Sequence, residues 1–181
     1  GHVSPARLLT TTITDELKLA TQKRSKVISM SFKDRGAVLP AGHLPDGAFW
    51  YDSKTGGFIT STYYMAQLPL WMEKFNQLKL ADKYLTQTWN TYFPLNQYTE
   101  SLPDENPYES KMAGKDKPVF PYDLKTMGAG SGYGLLPYTP FANDYLTELA
   151  KAAIEGEKLG QDEWTDFLAV SYSSPDMLGH E

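Results

Sequence analysis

The 181-residue chain has no cysteine. Disulfides and thiolate metal sites are therefore excluded, and any metal must be held by histidine and carboxylate side chains. Histidine itself is scarce, at three residues. Basic charge is also in deficit. Lys and Arg number 17 against 22 Asp and Glu, for a net charge of −5. A nucleic-acid binder needs a basic surface to displace the counterions of phosphates, so that partner class is not expected. No apolar run approaches the roughly 20 residues that a membrane-spanning helix requires.

Apolar and aromatic residues are plentiful. The hydrophobic fraction is 41%, with 12 Tyr and 4 Trp, which is enough for one core. Residues 12–24 predict a helix, with Asp15 and Glu16 in its first turn and Lys23 and Arg24 in its last, an order that suits the helix dipole. Its buried stripe is expected to be Ile13, Leu17 and Ala20. Residues 26–32 predict a strand, followed by a turn region at 36–47. Residues 48–52 and 57–62 flank a four-residue turn and predict a hairpin. Residues 70–80 have helical spacing through Trp71, Phe75 and Leu78. Six prolines break residues 86–138, which nonetheless remain rich in Trp, Tyr and Phe. They predict a packed, irregular excursion, part of an insertion at about 64–138. A second strong helix runs from Pro140 to about Leu159, with Phe141, Tyr145, Leu149, Ala152 and Ala153 on its core face, and residues 167–172 form a last strand. Helix, strand, long insertion, helix and strand make an α/β pattern.

The candidate chemistry sits where strands end. Residues 167–170 (FLAV) read as a buried strand of a parallel sheet, and Ser174 and Pro175 as the cap and first residue of a helix. On that helix Asp176 and His180 are one turn apart and share a face. A carboxylate and an imidazole so placed offer two ligands to a divalent metal, and α/β sites collect at the carboxyl ends of strands. Lys33-Asp34-Arg35 directly follows the strand ending at Phe32. If the chain stays extended there, Lys33 and Arg35 point to one side and form an anion clamp, Arg as a planar fork and Lys as a point charge. The glycines at 128, 130, 132 and 134 are not a phosphate loop, because no strand leads in and no Lys-Ser/Thr follows. They are expected to be a flexible approach to the next helix. His43 is expected to satisfy loop backbone more than to touch a substrate.

Several blocks, in order, carry a family resemblance. They are residues 10–20 (TTTITDELKLA), 33–43 (KDRGAVLPAGH), 48–52 (AFWYD), 58–64 (FITSTYY), 139–143 (TPFAN) and 166–180 (DFLAVSYSSPDMLGH). Through them the chain resembles the phosphate-irrepressible bacterial alkaline phosphatases of the alkaline phosphatase superfamily, as an internal fragment. The resemblance implies a partial sheet of that fold with flanking helices, a periplasmic parent enzyme and phosphate monoesters as substrates. It implies two zinc ions and a phospho-threonine intermediate. By the same resemblance Lys33 and Arg35 bind the transferred phosphoryl group, and Asp176 and His180 ligate one zinc. The nucleophilic Thr, its neighbouring Asn and the remaining zinc ligands are implied to lie outside these residues, leaving the fragment itself inactive. Two alternatives stay open: a nucleotide pyrophosphatase/phosphodiesterase of the same superfamily, which shares the D-x-x-x-H pair, and a non-catalytic periplasmic binding module using the aromatic excursion.

Overall fold

The computed structural model of the chain describes residues 3–180. In chain order, α1 (Ile13–Ala20) precedes β1 (Val27–Ser31), α2 (Asp34–Ala41), β2 (Gly47–Asp52) and β3 (Gly57–Ile59). Two short helices follow, α3 (Leu70–Gln77) and α4 (Leu80–Tyr84). The excursion holds a small ribbon of β4 (Thr88–Trp89) and β5 (Tyr122–Asp123), then α5 (Leu124–Ser131). Last come α6 (Phe141–Glu157), β6 (Phe167–Ser171) and α7 (Ser174–Leu178).

The main sheet has the order β3-β2-β1-β6. β1 runs parallel to both β2 and β6, and β3 closes the hairpin antiparallel to β2. β1 is buried along its whole length, as expected of a parallel strand covered on both faces. Alternation divides its neighbours. Ile28, Met30, Phe49 and Tyr51 join Met72, Phe75, Tyr145, Leu146 and Leu149 in the main core. Trp50 points the other way and packs with Ala37 and Val38 of α2. Helices therefore cover both faces, the α/β arrangement read from the sequence.

Aromatic rings form the centre of the core. Phe32 and Tyr51 stand 4.6 Å apart between centroids, and Phe58 and Tyr145 meet edge-on at 5.0 Å, a favoured geometry for ring quadrupoles. The Tyr145 hydroxyl donates to the Gly56 carbonyl at 3.0 Å, and burial pushes its pKa up. It remains a protonated donor that pins the hairpin turn to α6.

Several sequence expectations are corrected. The stripe on α1 is polar: Thr14, Asp15 and Lys18 are buried, whereas Ile13 is 73% exposed. The reason is hydrogen bonding. Thr14 donates to the carbonyls of Pro40 and Ala41, and Lys18 donates to the Ser25 carbonyl and pairs with Asp46 at 2.6 Å. The first half of the turn region expected after β1 is the helix α2, ended by Gly42 at φ 72. The 70–80 helix breaks in two at Lys79, which adopts a left-handed φ of 47. The glycine run is not a flexible approach: it ends α5 and continues as a 3₁₀ helix, Gly132–Tyr138. β6 is half-buried, not fully buried, because β1 pairs with it on one side and it closes that edge of the sheet. Among the described residues, no helix is long and apolar enough to cross a membrane.

Candidate active site

β1 and β6 are parallel neighbours whose last residues, Ser31 and Ser171, are in register. The chain leaves both strands at the same edge of the sheet. After β1 it turns directly into α2, with Lys33 as the N-cap in extended conformation and Asp34 and Arg35 in the first turn. After β6 it turns into α7, whose N-cap position is Ser173, one residue before the Ser174 expected from the sequence, with no side-chain capping bond. The two groups of candidate residues are thus brought together from opposite ends of the chain. Lys33 Nζ donates to the Asp176 carboxylate across 143 residues of sequence. His180 Nε2 lies 3.5 Å from the other oxygen of Asp176.

The extended reading of Lys33-Asp34-Arg35 does not hold, since Arg35 is already helical. The two cations reach the same edge by a different route, Lys33 from the cap and Arg35 from the helical turn. Both act on Asp176. The Lys33 ammonium, by hydrogen bond and by charge, holds that carboxyl below the usual aspartate range, and His180 and Arg35 add smaller effects in the same direction. The edge is open: the Asp176 side chain is 60% exposed and that of His180 74%.

Asp176 and His180 suit a borderline-soft divalent metal. Two donors on one tetrahedral zinc at about 2.0–2.1 Å stand roughly 3.3 Å apart, close to the observed 3.5 Å. The last helical residue is Leu178 and Gly179 is the C-cap, so His180 sits just beyond the helix. Among the described residues no group of three or more His, Asp or Glu side chains is assembled to hold a metal. The pair offers two donors of a site and no more.

His43 is elsewhere. It stands past the far end of α2, its Nδ1 2.9 Å from Asp15 Oδ2 and its Nε2 3.0 Å from the Leu8 carbonyl. The bond to Asp15 raises its pKa above the ordinary 6.5. It ties loop to helix, as expected. The excursion frames a cavity of about 1140 Å³ among Trp89, Tyr92, Tyr98, Tyr108 and Phe120. None of Lys33, Arg35, Asp176 or His180 lines it. The excursion has its own small apolar cluster of Met112, Tyr122, Leu124, Met127 and Leu135, against which Leu178 of α7 packs.

Sequence reasoning passed over the residues beneath the site. Ser31 and Ser173 lie where the strand ends meet the two helices, and Gly36 in the first turn of α2 packs onto Ser31. The available signal was small polar residues at the ends of otherwise apolar strands, S-M-S in β1 and S-Y-S-S from the last residue of β6 onward.

No family model matches the chain. It is 52% identical over its full length to alkaline phosphatase PhoV of Synechococcus elongatus, covering 33% of that protein. It is 49% identical, again over its full length and 33% of the relative, to a protein of Myroides odoratus named calcium-transporting ATPase. The crystal structure of wild-type alkaline phosphatase PafA superposes with a TM-score of 0.92 at 46% identity, over 98% of this chain and 34% of that one. A PafA variant with a Thr, an Asn, a Lys and an Arg substituted superposes at 0.94, with 45% identity and the same coverage. The chain therefore spans about a third of the length of these relatives. The resemblance to bacterial alkaline phosphatases holds along the whole chain, and the fold is the corresponding part of the PafA fold.

Proposed function

We propose that the chain carries the phosphoryl clamp and two ligands of one zinc site of an alkaline phosphatase acting on phosphate monoesters. The observation that carries this reading is the meeting of Lys33 with Asp176 and His180 at one sheet edge, from strands far apart in sequence. Two further facts support it. The Lys and Arg substituted in the PafA variant stand two positions apart, as Lys33 and Arg35 do. The Asp176–His180 spacing also fits a tetrahedral donor pair. The wider protein is proposed to be periplasmic, with residues 64–138 as an insertion in its catalytic domain.

In this mechanism Lys33 and Arg35 bind the non-bridging oxygens of the phosphoryl group. Arg35 supplies a planar fork and Lys33 a compact charge. Both act where the transition state carries its charge, so their contribution grows as the ester bond breaks. Asp176 and His180 would hold one zinc, which would supply Lewis acidity when bound. The acceptor is a threonine outside these residues: its oxygen bonds to phosphorus as the ester oxygen departs, and water later releases phosphate. Lys33 pairs with Asp176 in this structure, and were that carboxylate to hold a metal, the ammonium would be available to the phosphoryl oxygens.

A monoester presents more phosphoryl charge than a diester. Arg35→Ala in the full-length phosphatase should therefore cost about 2–4 kcal/mol of transition-state stabilisation for a monoester. The loss for a diester should be clearly smaller. Measuring kcat/KM for paired aryl monoester and diester substrates tests this. Equal losses would overturn the clamp assignment, and preferential diester hydrolysis by the wild type would favour the phosphodiesterase reading.

A further inference from the structure

Beneath the clamp lies a set of serines that no charge or metal argument accounts for. Ser31 is fully buried at the end of β1, and Ser173 is 7% exposed at the start of α7. Their hydroxyl oxygens are 2.8 Å apart, a buried bond between residues 142 positions apart in sequence. Ser31 Oγ is also 3.1 Å from the Ser171 carbonyl, and it accepts from the Lys33 backbone N–H at 3.1 Å. One proton arrangement uses the whole hydroxyl. Ser31 donates to the Ser171 carbonyl and accepts from both Ser173 and Lys33, which is the full capacity of a serine.

This hub joins the two halves of the proposed site. One of its bonds fixes the backbone of Lys33, the first residue of the clamp. Another fixes the cap residue of the helix that bears Asp176. The packing above it is equally restrictive. A Cβ on Gly36, in the first turn of α2, would come within 2.4 Å of Ser31 Oγ and 2.9 Å of Ser171 Oγ. No real Cβ approaches so closely, so α2 rests directly on the hydroxyls only because residue 36 is glycine. The start of α2 is held by a hydrogen bond from below and by contact from above.

From this arrangement we infer that Ser31 is a positioning residue, which sets Lys33 and, through Ser173, α7 in one fixed relation at the sheet edge. The inference rests on the clamp reading proposed above. It extends that reading by assigning the geometry of the clamp to a neutral buried hydroxyl. Buried hydroxyls are costly unless bonded, and the contrast with Ser29 is instructive. Ser29 is equally buried two residues earlier on the same strand, yet its hydroxyl has no partner. Ser29→Ala thus supplies a control that removes a buried hydroxyl from β1 without touching the link.

The test is a double-mutant cycle in the full-length, metal-loaded phosphatase, reading monoester kcat/KM and the inhibition constant of inorganic phosphate. Ser31→Ala should lower kcat/KM and weaken phosphate inhibition on the order of tenfold, a cost typical of a displaced binding group. In a Lys33→Ala background the same change should cost clearly less than in the wild type, because one of the two groups it positions is gone and only its hold on α7 through Ser173 remains. Ser29→Ala should leave both constants unchanged. Ser173→Ala removes the bond to α7 while leaving the Ser31–Lys33 bond, and if Ser31→Ala fails to fold it should still lower kcat/KM through the α7 arm, no loss overturning that arm of the inference. Additive losses from Ser31→Ala and Lys33→Ala, or equal losses from Ser29→Ala and Ser31→Ala, would overturn the positioning role while leaving the clamp intact. No loss from Lys33→Ala alone would instead sink the clamp reading on which it rests.

Discussion

The strongest test of how this fold is held concerns Asp15, a carboxylate at 2% exposure on a helix that sequence pattern had given an apolar face. It accepts five hydrogen bonds. Oδ1 takes the backbone N–H of His43 at 2.7 Å and of Leu44 at 3.1 Å. Oδ2 takes the Thr12 N–H and hydroxyl, both at 3.0 Å, and pairs with His43 Nδ1 at 2.9 Å. The first two bonds join α1 to the loop after α2, and the Thr12 bonds complete a capping box. Burial alone would raise this carboxyl's pKa, but the bonds from His43 and Thr12 outweigh it and bring the pKa to about 2.

An unfolded aspartate titrates near about 3.9. The ionised carboxylate therefore contributes roughly 2–3 kcal/mol of stability. That contribution is complete above about pH 4 and is lost as pH falls through the folded value of about 2. His43 has the opposite sign. Its pKa is raised in the fold, so its contribution is full below an unfolded value of about 6.5 and is lost as pH rises through the folded one. Asp15→Asn keeps the shape but removes the charge and one acceptor oxygen. Urea denaturation of the wild type and Asp15→Asn at half-unit steps from pH 2 to 8 is the assay. Taking the difference between the two curves cancels the other carboxylates. A gap of about 2–3 kcal/mol near neutrality should narrow toward pH 2, and it should also narrow on the alkaline side as His43 loses its proton. A gap independent of pH, or one below about 0.5 kcal/mol at pH 6, would refute the account of this network.

Two further outcomes are expected. Tyr145→Phe leaves the Gly56 carbonyl without its buried donor and should cost about 1–2 kcal/mol, a drop of a few degrees in Tm by calorimetry. The 181-residue chain alone should show neither monoester turnover nor submicromolar zinc binding in a calorimetric titration, because Asp176 and His180 supply two donors where a catalytic zinc normally takes three from protein.

The sheet was legible because its signals are local. The apolar runs of β1 and β6, the Ser-Lys-Thr-Gly turn at 53–56 and the Tyr145 helix each follow from composition over a few residues. What escaped was long-range. The polar face of α1 is buried because Lys18 meets Asp46 and Asp15 meets His43, partners about 28 residues away that no periodicity can show. The path through Lys33-Asp34-Arg35 was misread for a related reason. Lys-Asp-Arg carries no strong helix start, and Gly36 and Pro40 read as breakers, yet Gly36 is there to bring the helix onto Ser31 and Ser171.

The meeting of the candidate residues did not depend on that error, because it rests on topology more than on local conformation. A residue just beyond the carboxyl end of one parallel strand stays near a residue just beyond the end of its neighbour, whether the chain there is extended or helical. Lys33 and Asp176 meet because β1 and β6 pair in register at Ser31 and Ser171. The same register puts Ser31 within reach of Ser173. The pairing that brings the proposed site together therefore also supplies its support, and a one-residue slip of β6 against β1 would part Lys33 from Asp176 and break the serine link at once.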